Sequence, residues 1–239
     1  MGLRDWLNRE MFHPSVASFF INPFFFARWG LIVQMREFAP QLSGGKLIDI
    51  GCGRKPYREL FPETDYVGIE IDTPATRARG IAERFYDGNT FPCSDAEFDA
   101  ALANQVLEHV FEPEAFLAEI HRVLKPGGKL LCTVPFIWDE HEQPYDYARY
   151  SSFGIRYLLE KQGFTVLEAR KTISNFGAVA QLVNAYFYKA LLSRSGILKI
   201  LGTLLIVFPM NLFGLLISLL LPQNSDLYLD NIVLAEKRP

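Results

Sequence analysis

Two stretches of this 239-residue chain hold side chains of the kinds that do chemistry. The first is Asp49-Ile50-Gly51-Cys52-Gly53, a glycine pair directly after a short apolar run, with Glu70 about 20 residues further on. Glycine has no Cβ, so the backbone of such a turn can approach a ligand closely. A carboxylate at the place of Glu70 can accept hydrogen bonds from both hydroxyls of a ribose. Asp87, after a third apolar run, is placed to meet an adenine amino group. Taken singly, the same residues also fit a plain strand-to-helix turn and a solvated loop acid.

The second stretch is Pro135-Phe136-Ile137-Trp138-Asp139-Glu140-His141-Glu142-Gln143-Pro144-Tyr145-Asp146-Tyr147-Ala148-Arg149-Tyr150. An imidazole with an unperturbed pKa near 6.5 takes a proton close to neutrality, which makes His141 a candidate base. Asp146 would orient it and Arg149 would bind an anionic group. The structural alternative is an Asp146–Arg149 pair that pins the loop, with His141 as its cap.

These residues need elements to hold them. Lys46–Ile50, Tyr66–Ile71, Ala82–Tyr86, Phe98–Ala103, Lys129–Pro135, Phe164–Lys171 and Asp230–Glu236 read as seven strands, short and mostly apolar. Helices are expected over Glu112–Leu124, with Phe116, Leu117, Ile120, Val123 and Leu124 on one face, and over Ser152–Gly163. Pro126-Gly127-Gly128 is expected to separate the first of these helices from its strand. The alternation predicts an α/β fold with a mostly parallel seven-stranded sheet and helices on both faces. In such a sheet, ligands bind at the carboxyl ends of the strands, where the strand order reverses.

The set of motifs resembles the class I S-adenosylmethionine-dependent methyltransferases, of the type 11-like kind. Leu47-Ile48-Asp49-Ile50-Gly51-Cys52-Gly53 is similar to their first motif and Val67-Gly68-Ile69-Glu70-Ile71-Asp72 to their second. Phe98-Asp99, Gln105-Val106-Leu107-Glu108-His109-Val110 and Arg122-Val123-Leu124-Lys125-Pro126-Gly127-Gly128-Lys129-Leu130 follow in the family's order. The resemblance implies a Rossmann-like fold and S-adenosylmethionine as cofactor. It implies that Asp49, Gly51 and Gly53 face the methionine part, Glu70 the ribose, Asp87 the adenine, and Asn104 with Gln105 the sulfonium side. It gives His109 a structural place at a helix start. One departure is Arg54-Lys55-Pro56-Tyr57, which stands where many members carry a third glycine and puts two cations beside the site. His141, Pro144, Asp146 and Arg149 form a His-x-x-Pro-x-Asp-x-x-Arg pattern that resembles a branch common in surface-polysaccharide pathways.

Composition narrows the function further. The net charge of −3 argues against a nucleic-acid partner, since phosphate binding calls for a basic excess. Cys52, Cys93 and Cys132 form no Cys-x-x-Cys pair, and His121 and His141 lie near no metal-ligand cluster in the sequence, so no metal is expected. No secretory signal is read at the N-terminus, and a reducing setting is expected.

Most unusual is Gly196–Leu221, whose one charge is Lys199. Its length is close to the ~20 apolar residues that cross a bilayer. Because the flanking strands should share one sheet, the expectation is two pieces, Gly196–Phe208 and Leu212–Leu221, hinged at Pro209 as a re-entrant hairpin or lying in the membrane surface. Phe176–Leu192 has the aromatic and basic content of an interfacial helix. The alternative is an apolar cap over the site or a dimer interface.

Three segments are expected: 1–42, aromatic and helical, broken near Asn22-Pro23; 43–171 with 229–239, the cofactor-binding domain; and 172–228, the apolar insert. The function expected is O-methylation of a lipid-linked or membrane-borne glycan, at the cytoplasmic face of a membrane or in the cytoplasm. Methylation of a quinone or other lipophilic small molecule is the nearest alternative. A non-catalytic membrane scaffold that binds the cofactor is the alternative of a different class.

Overall fold

The computed structural model describes residues 2–192, 196 and 201–238. It divides into two compact units, residues 1–34 with 171–230 and residues 35–170 with 231–239. This grouping differs from the three-part reading: the N-terminal stretch and the insert form one unit, and residues 35–42 go with the sheet.

The sheet unit is built on β1 (Lys46–Ile50), β2 (Asp65–Ile71), β3 (Arg84–Tyr86), β4 (Phe98–Asn104), β5 (Leu124–Pro135), β6 (Phe164–Lys171) and β7 (Asp230–Lys237). Their order is β3-β2-β1-β4-β5-β7-β6. The pairs β1–β2, β2–β3, β1–β4 and β4–β5 are parallel. This is the α/β sheet that the alternation of elements predicts. The order reverses between β1 and β4, so the chain leaves these neighbours in opposite directions and opens a crevice at their carboxyl ends.

A six-residue helix, Pro74–Arg79, links β2 to β3, and Pro113–Val123 links β4 to β5. Right-handed crossovers running in opposite directions place these two helices on opposite faces of the sheet. The second one buries Phe116, Leu117, Ile120 and Val123, its apolar stripe, into the main core. Between β1 and β2 there is no α-helix, only the short 3-10 turn Arg58–Leu60. Tyr57 and Phe61, both buried, fill the space beside it.

Pro126-Gly127-Gly128 does not separate helix from strand. β5 begins at Leu124, and the register shifts between Phe98↔Leu124 and Ala100↔Lys129. Gly127 supplies a φ of +74° there, and a Cβ on Gly128 would lie 2.8 Å from the Lys125 carbonyl. The glycines therefore serve a bulge inside the strand.

The helical unit contains α1 (Leu3–Phe12), α2 (Ser18–Ile21), the first part of α3 (Phe25–Phe38), and the insert helices Phe176–Phe187 and Phe208–Leu220. The break at Asn22-Pro23 falls where the sequence predicts it. Part of the first hairpin piece, residues 197–200, lies outside the described residues. From Thr203 to Leu220 the chain is one continuous helix, with a wide turn over Thr203–Val207. The expected hinge at Pro209 is therefore absent: proline lies inside the continuous helix, two residues after the wide turn over Thr203–Val207.

The interior of this unit holds carboxamides among its apolar side chains. Asn22, Gln181, Asn184 and Asn211 have no solvent exposure. The Asn211 amide donates to the Phe19 carbonyl (2.8 Å), and the Asn184 amide donates to Asn211 Oδ1 (2.8 Å). Gln181 accepts from the Ala27 amide and donates to the Pro23 carbonyl. Outside, Leu205, Leu219 and Leu220 are 72%, 75% and 78% exposed.

Removing one member of the buried amide chain leaves its partners desolvated and unpaired. Asn211→Ala should lower unfolding free energy by about 2 kcal/mol. Denaturant titration followed by circular dichroism checks this, and a change below about 0.5 kcal/mol would contradict the packing described.

Candidate active site

β1 ends at Ile50 and the chain turns through Gly51 and Gly53, with φ of +65° and +53°. The Gly51 and Cys52 amides donate to the Ile69 carbonyl at 3.0 and 3.2 Å, strapping the turn onto β2. A Cβ on Gly51 would lie 2.6 Å from Val106 Cγ2, so only glycine fits there. A Cβ on Gly53 would meet nothing within 4 Å, so the bare backbone faces open space. The Gly53 amide donates to Glu70 Oε1 at 2.6 Å. The carboxylate is thus held against the glycine turn at the end of β2.

Asp49 is buried and accepts from the Tyr66 hydroxyl at 2.5 Å. Burial pushes its carboxyl up to about 7, against the opposing pull of the Tyr66 hydroxyl and Lys55. Lys55 is paired with Glu83 at 2.5 Å, and Glu83 also accepts from the Gly68 amide. The Lys55 stem crosses Gly68 so closely that a Cβ there would lie 2.5 Å from its Cε. Of the two cations that the sequence puts beside the site, Lys55 is thus engaged in an ion pair. Arg54 is exposed.

Asp87 is exposed at the end of β3 and closes a turn by accepting from the Asn89 and Thr90 amides, which hold its carboxyl below the usual range. Asn104 and Gln105, at the end of β4, are tied to Thr133 of β5. The Thr133 hydroxyl donates to Asn104 Oδ1 (2.8 Å) and accepts from Gln105 Nε2 (3.2 Å). Gln105 has a φ of +55°, and its amide donates to the Thr133 carbonyl. All seven cofactor-site candidates therefore lie at or just after the carboxyl ends of β1 to β4.

The loop after β5 is laid back on the turn after β4. The Tyr147 and Ala148 amides donate to the Glu108 carbonyl. His109 Nδ1 lies 2.6 Å from the Tyr145 carbonyl. Arg149 donates to both oxygens of Asp146 (2.6 and 2.8 Å) and to the Trp138, Asp139 and Ala148 carbonyls. All five guanidinium donors are engaged. Arg149 thus ties the loop together. Asp146 accepts from the His141 amide at 2.9 Å and lies 3.3 Å from His141 Nδ1. Burial and the neighbouring His109 lower the His141 pKa, leaving a neutral imidazole at neutral pH.

Sequence reasoning missed Glu108 as a site residue and left His109 a structural part. Glu108 is fully buried, and the His109 and His141 rings meet edge to face at 4.7 Å. Their one sequence signal was position, since both residues follow β4 at the carboxyl edge.

Residues 48–132 match the family model described as a methyltransferase domain. The chain is 31% identical over 115 residues to the tRNA (carboxymethyluridine(34)-5-O)-methyltransferase of Arabidopsis thaliana, covering 46% of this chain and 28% of the relative. It is 30% identical over 112 residues to the ubiquinone biosynthesis O-methyltransferase of Ruegeria pomeroyi, covering 38% and 41%. The chain thus spans less than half the length of these two relatives. Among solved structures, an S-adenosylmethionine-dependent methyltransferase from Archaeoglobus fulgidus aligns over 98% of this chain and 99% of its own, with TM-score 0.59 at 16% identity. The fold is the one class I methyltransferases share.

Arg149 holds the Asp146 carboxyl well below the usual carboxylate range. A depressed folded pKa means this pair stabilises fully above about pH 4 and loses its effect as pH falls further. Asp146→Asn should cost about 2 kcal/mol at pH 7, roughly 5 °C in Tm. It should also open the loop to proteolysis between residues 138 and 149. An unchanged Tm and cleavage pattern would remove the pair as the pin.

Proposed function

We propose that the chain is an S-adenosylmethionine-dependent methyltransferase acting on an oxygen of a membrane-borne acceptor, a lipid-linked glycan. The observation that carries the cofactor assignment is the glycine turn: open backbone at Gly53 with the Glu70 carboxylate held beside it. These residues fit an adenosyl sulfonium. Glu70 Oε1 is fixed by Gly53, which orients the carboxylate for a ribose diol. Asp49, Gly51 and Gly53 hold the amino-acid end, Asp87 the adenine, and Asn104 with Gln105 the sulfonium side. The cofactor supplies a methyl group already activated by a sulfonium, with a neutral thioether as leaving group.

The chain's own work is alignment and exclusion of water. The acceptor hydroxyl lies under the loop 136–150. His141, neutral and oriented by Asp146, would take the hydroxyl proton as the acceptor oxygen receives the methyl group. Arg149 acts through Asp146 and is a positioning residue.

The helical unit supports the membrane part of this reading. Buried amide pairs inside and leucines outside are the arrangement a bilayer favours, since lipid drives no apolar burial and interior hydrogen bonds hold helices together. Thr203–Leu220 is long and apolar enough to cross a membrane. β6 and β7 belong to one sheet, so the chain returns to the side it left, and the reading is an enzyme lying in one face of the membrane. The His-x-x-Pro-x-Asp-x-x-Arg pattern supports the glycan as the group methylated.

Cofactor affinity should depend on pH through Asp49. Its carboxyl titrates near 7, and only the ionised form attracts the ammonium of the amino-acid end. Binding should therefore tighten as pH rises through 7 and level off above it, while Asp49→Asn binds with a flat profile. Calorimetry from pH 5.5 to 8.5 checks this; Glu70→Ala should weaken binding by about 10- to 100-fold, the loss of a charged hydrogen bond to the ribose. No heat with S-adenosylmethionine or its demethylated product would end the reading.

Incubation with methyl-labelled cofactor and membrane extract should place the label in lipid-linked glycan. His141→Gln should lower that transfer more than tenfold. Label in free quinone, or in water-soluble products alone, would refute the acceptor assignment.

A further inference from the structure

We propose that Glu108, His109 and His141 form a site for one first-row divalent cation, of the Zn2+, Co2+ or Mn2+ kind, whose open coordination position takes the acceptor oxygen. One potential ligand atom from each of the three residues lies within 4.8 Å of the others. Two ligands on one such ion, each ~2.1 Å from it, stand about 3.4 Å apart, so the set closes with a small inward movement. The side chains of His109 and His141 are 20% and 26% exposed, while the Glu108 carboxylate has no solvent exposure.

The surroundings prepare both imidazoles as ligands. The Tyr145 carbonyl beside His109 Nδ1 only accepts, so the proton sits on Nδ1 and Nε2 presents its lone pair. That Nε2 is 3.8 Å from Glu108 Oε1. His141 Nδ1 lies 3.2 Å from the Asp139 carbonyl and 3.3 Å from Asp146 Oδ2, again acceptors, which selects the same tautomer. Arg149 Nη2 is 3.4 Å from this Nδ1, but its protons point at Asp139 and Asp146. A ring N–H held by a carbonyl or carboxylate is how metal-ligating histidines are oriented.

Charge points the same way. Asp146, Glu108 and Asp139 all act on Arg149, three carboxylates around one guanidinium. A carboxylate without solvent exposure is costly to keep ionised, and a dication beside it offsets that cost. Two nitrogens and one carboxylate suit first-row ions, whereas Mg2+ and Ca2+ favour all-oxygen sets. Three protein ligands leave a position open, as in catalytic rather than structural sites. The ligands come from the turn after β4 and the loop after β5, which is why no spacing in the sequence announces them.

The role of the ion rests on the methyltransferase reading of this edge. A hydroxyl bound to a dication loses its proton to solvent before attack, so His141 serves as a ligand where an ion is present and as the proton acceptor where none is. The oxygen–carbon bond then forms, the carbon–sulfur bond breaks, and the ion is not consumed.

The test uses the full chain after chelation and dialysis. Zn2+ should bind at one per chain by calorimetry and elemental analysis, and Co2+ should give visible bands typical of nitrogen–oxygen ligands. His109→Ala and His141→Ala should each weaken binding at least tenfold, with folding checked by circular dichroism; Glu108→Gln, being buried, is read only if it folds. Substoichiometric binding to the native chain, or equal binding to the His109→Ala/His141→Ala double variant, overturns the site. Turnover equal in the chelated and Zn2+- or Mn2+-loaded chains overturns the ion's role at the acceptor. Absence of cofactor binding in either form would refute the methyltransferase reading and leave the metal result standing.

Discussion

The structure depends most on the way a bare turn of backbone is tied to β2. Gly51 and Cys52 give their amides to Ile69, and Gly53 gives its amide to Glu70. Three successive amide groups near the end of β1 thereby point at the end of β2. This is possible because β1 and β2 are parallel and in register, Ile50 opposite Ile69. The turn needs the conformations that glycine adopts without strain, and Val106 approaches too closely for a side chain at Gly51. The tie sits beside the reversal of strand order, where a crevice opens whatever its lining. A fixed carboxylate beside open backbone turns that crevice into a place for a polar, hydroxyl-bearing ligand.

The short β1–β2 connection changes how this edge is supported. No α-helix follows the glycines, so Tyr57, Phe61 and Tyr66 fill the volume that a helix would take. Tyr66 reaches Asp49, and Lys55 reaches Glu83 across Gly68. The result is a polar cluster under the turn in which Asp49 is desolvated. Its ionisation then couples to whatever positive charge the crevice receives, since a cation nearby favours the charged form.

Much of this was legible because it is local. Five residues from Asp49 to Gly53 announce the turn, and the periodicity of Phe116, Leu117, Ile120 and Val123 announces their helix. Arg149 was not legible in the same way, because its donors are used up by carbonyls of Trp138, Asp139 and Ala148, and backbone carbonyls leave no mark on composition. Pro126-Gly127-Gly128 misled for a related reason: the same residues that end helices also permit a bulge, and strand pairing with β4 decides between them. Pro209 reads as a break only if the helix before it is ordinary; here a wide turn from Thr203 to Val207 precedes it and the helix runs on through it. Glu108, His109 and His141 lie on two loops that only the adjacency of β4 and β5 brings together.

The helical unit sets a different constraint. In water, burying four carboxamide side chains while leaving Leu205, Leu219 and Leu220 outside reverses the usual gain from apolar burial. Each buried amide group then needs a hydrogen-bond partner, and the bonds from Asn211 to Phe19, Asn184 to Asn211 and Gln181 to Pro23 supply one to each of these amide donors. Such a network specifies which helix meets which, since a slipped register strands a donor, whereas leucine against leucine tolerates sliding. On the membrane reading proposed above, the leucines lose nothing by facing outward, and the interior bonds supply the selectivity that apolar packing cannot. Gly214 fits this account, because a Cβ there would come within 2.5 Å of Ala180, and helices held by short polar bonds have to approach that closely. The uncharged run is therefore one side of a design whose other side is the buried amides, and either half alone would leave the unit without a reason to adopt this packing.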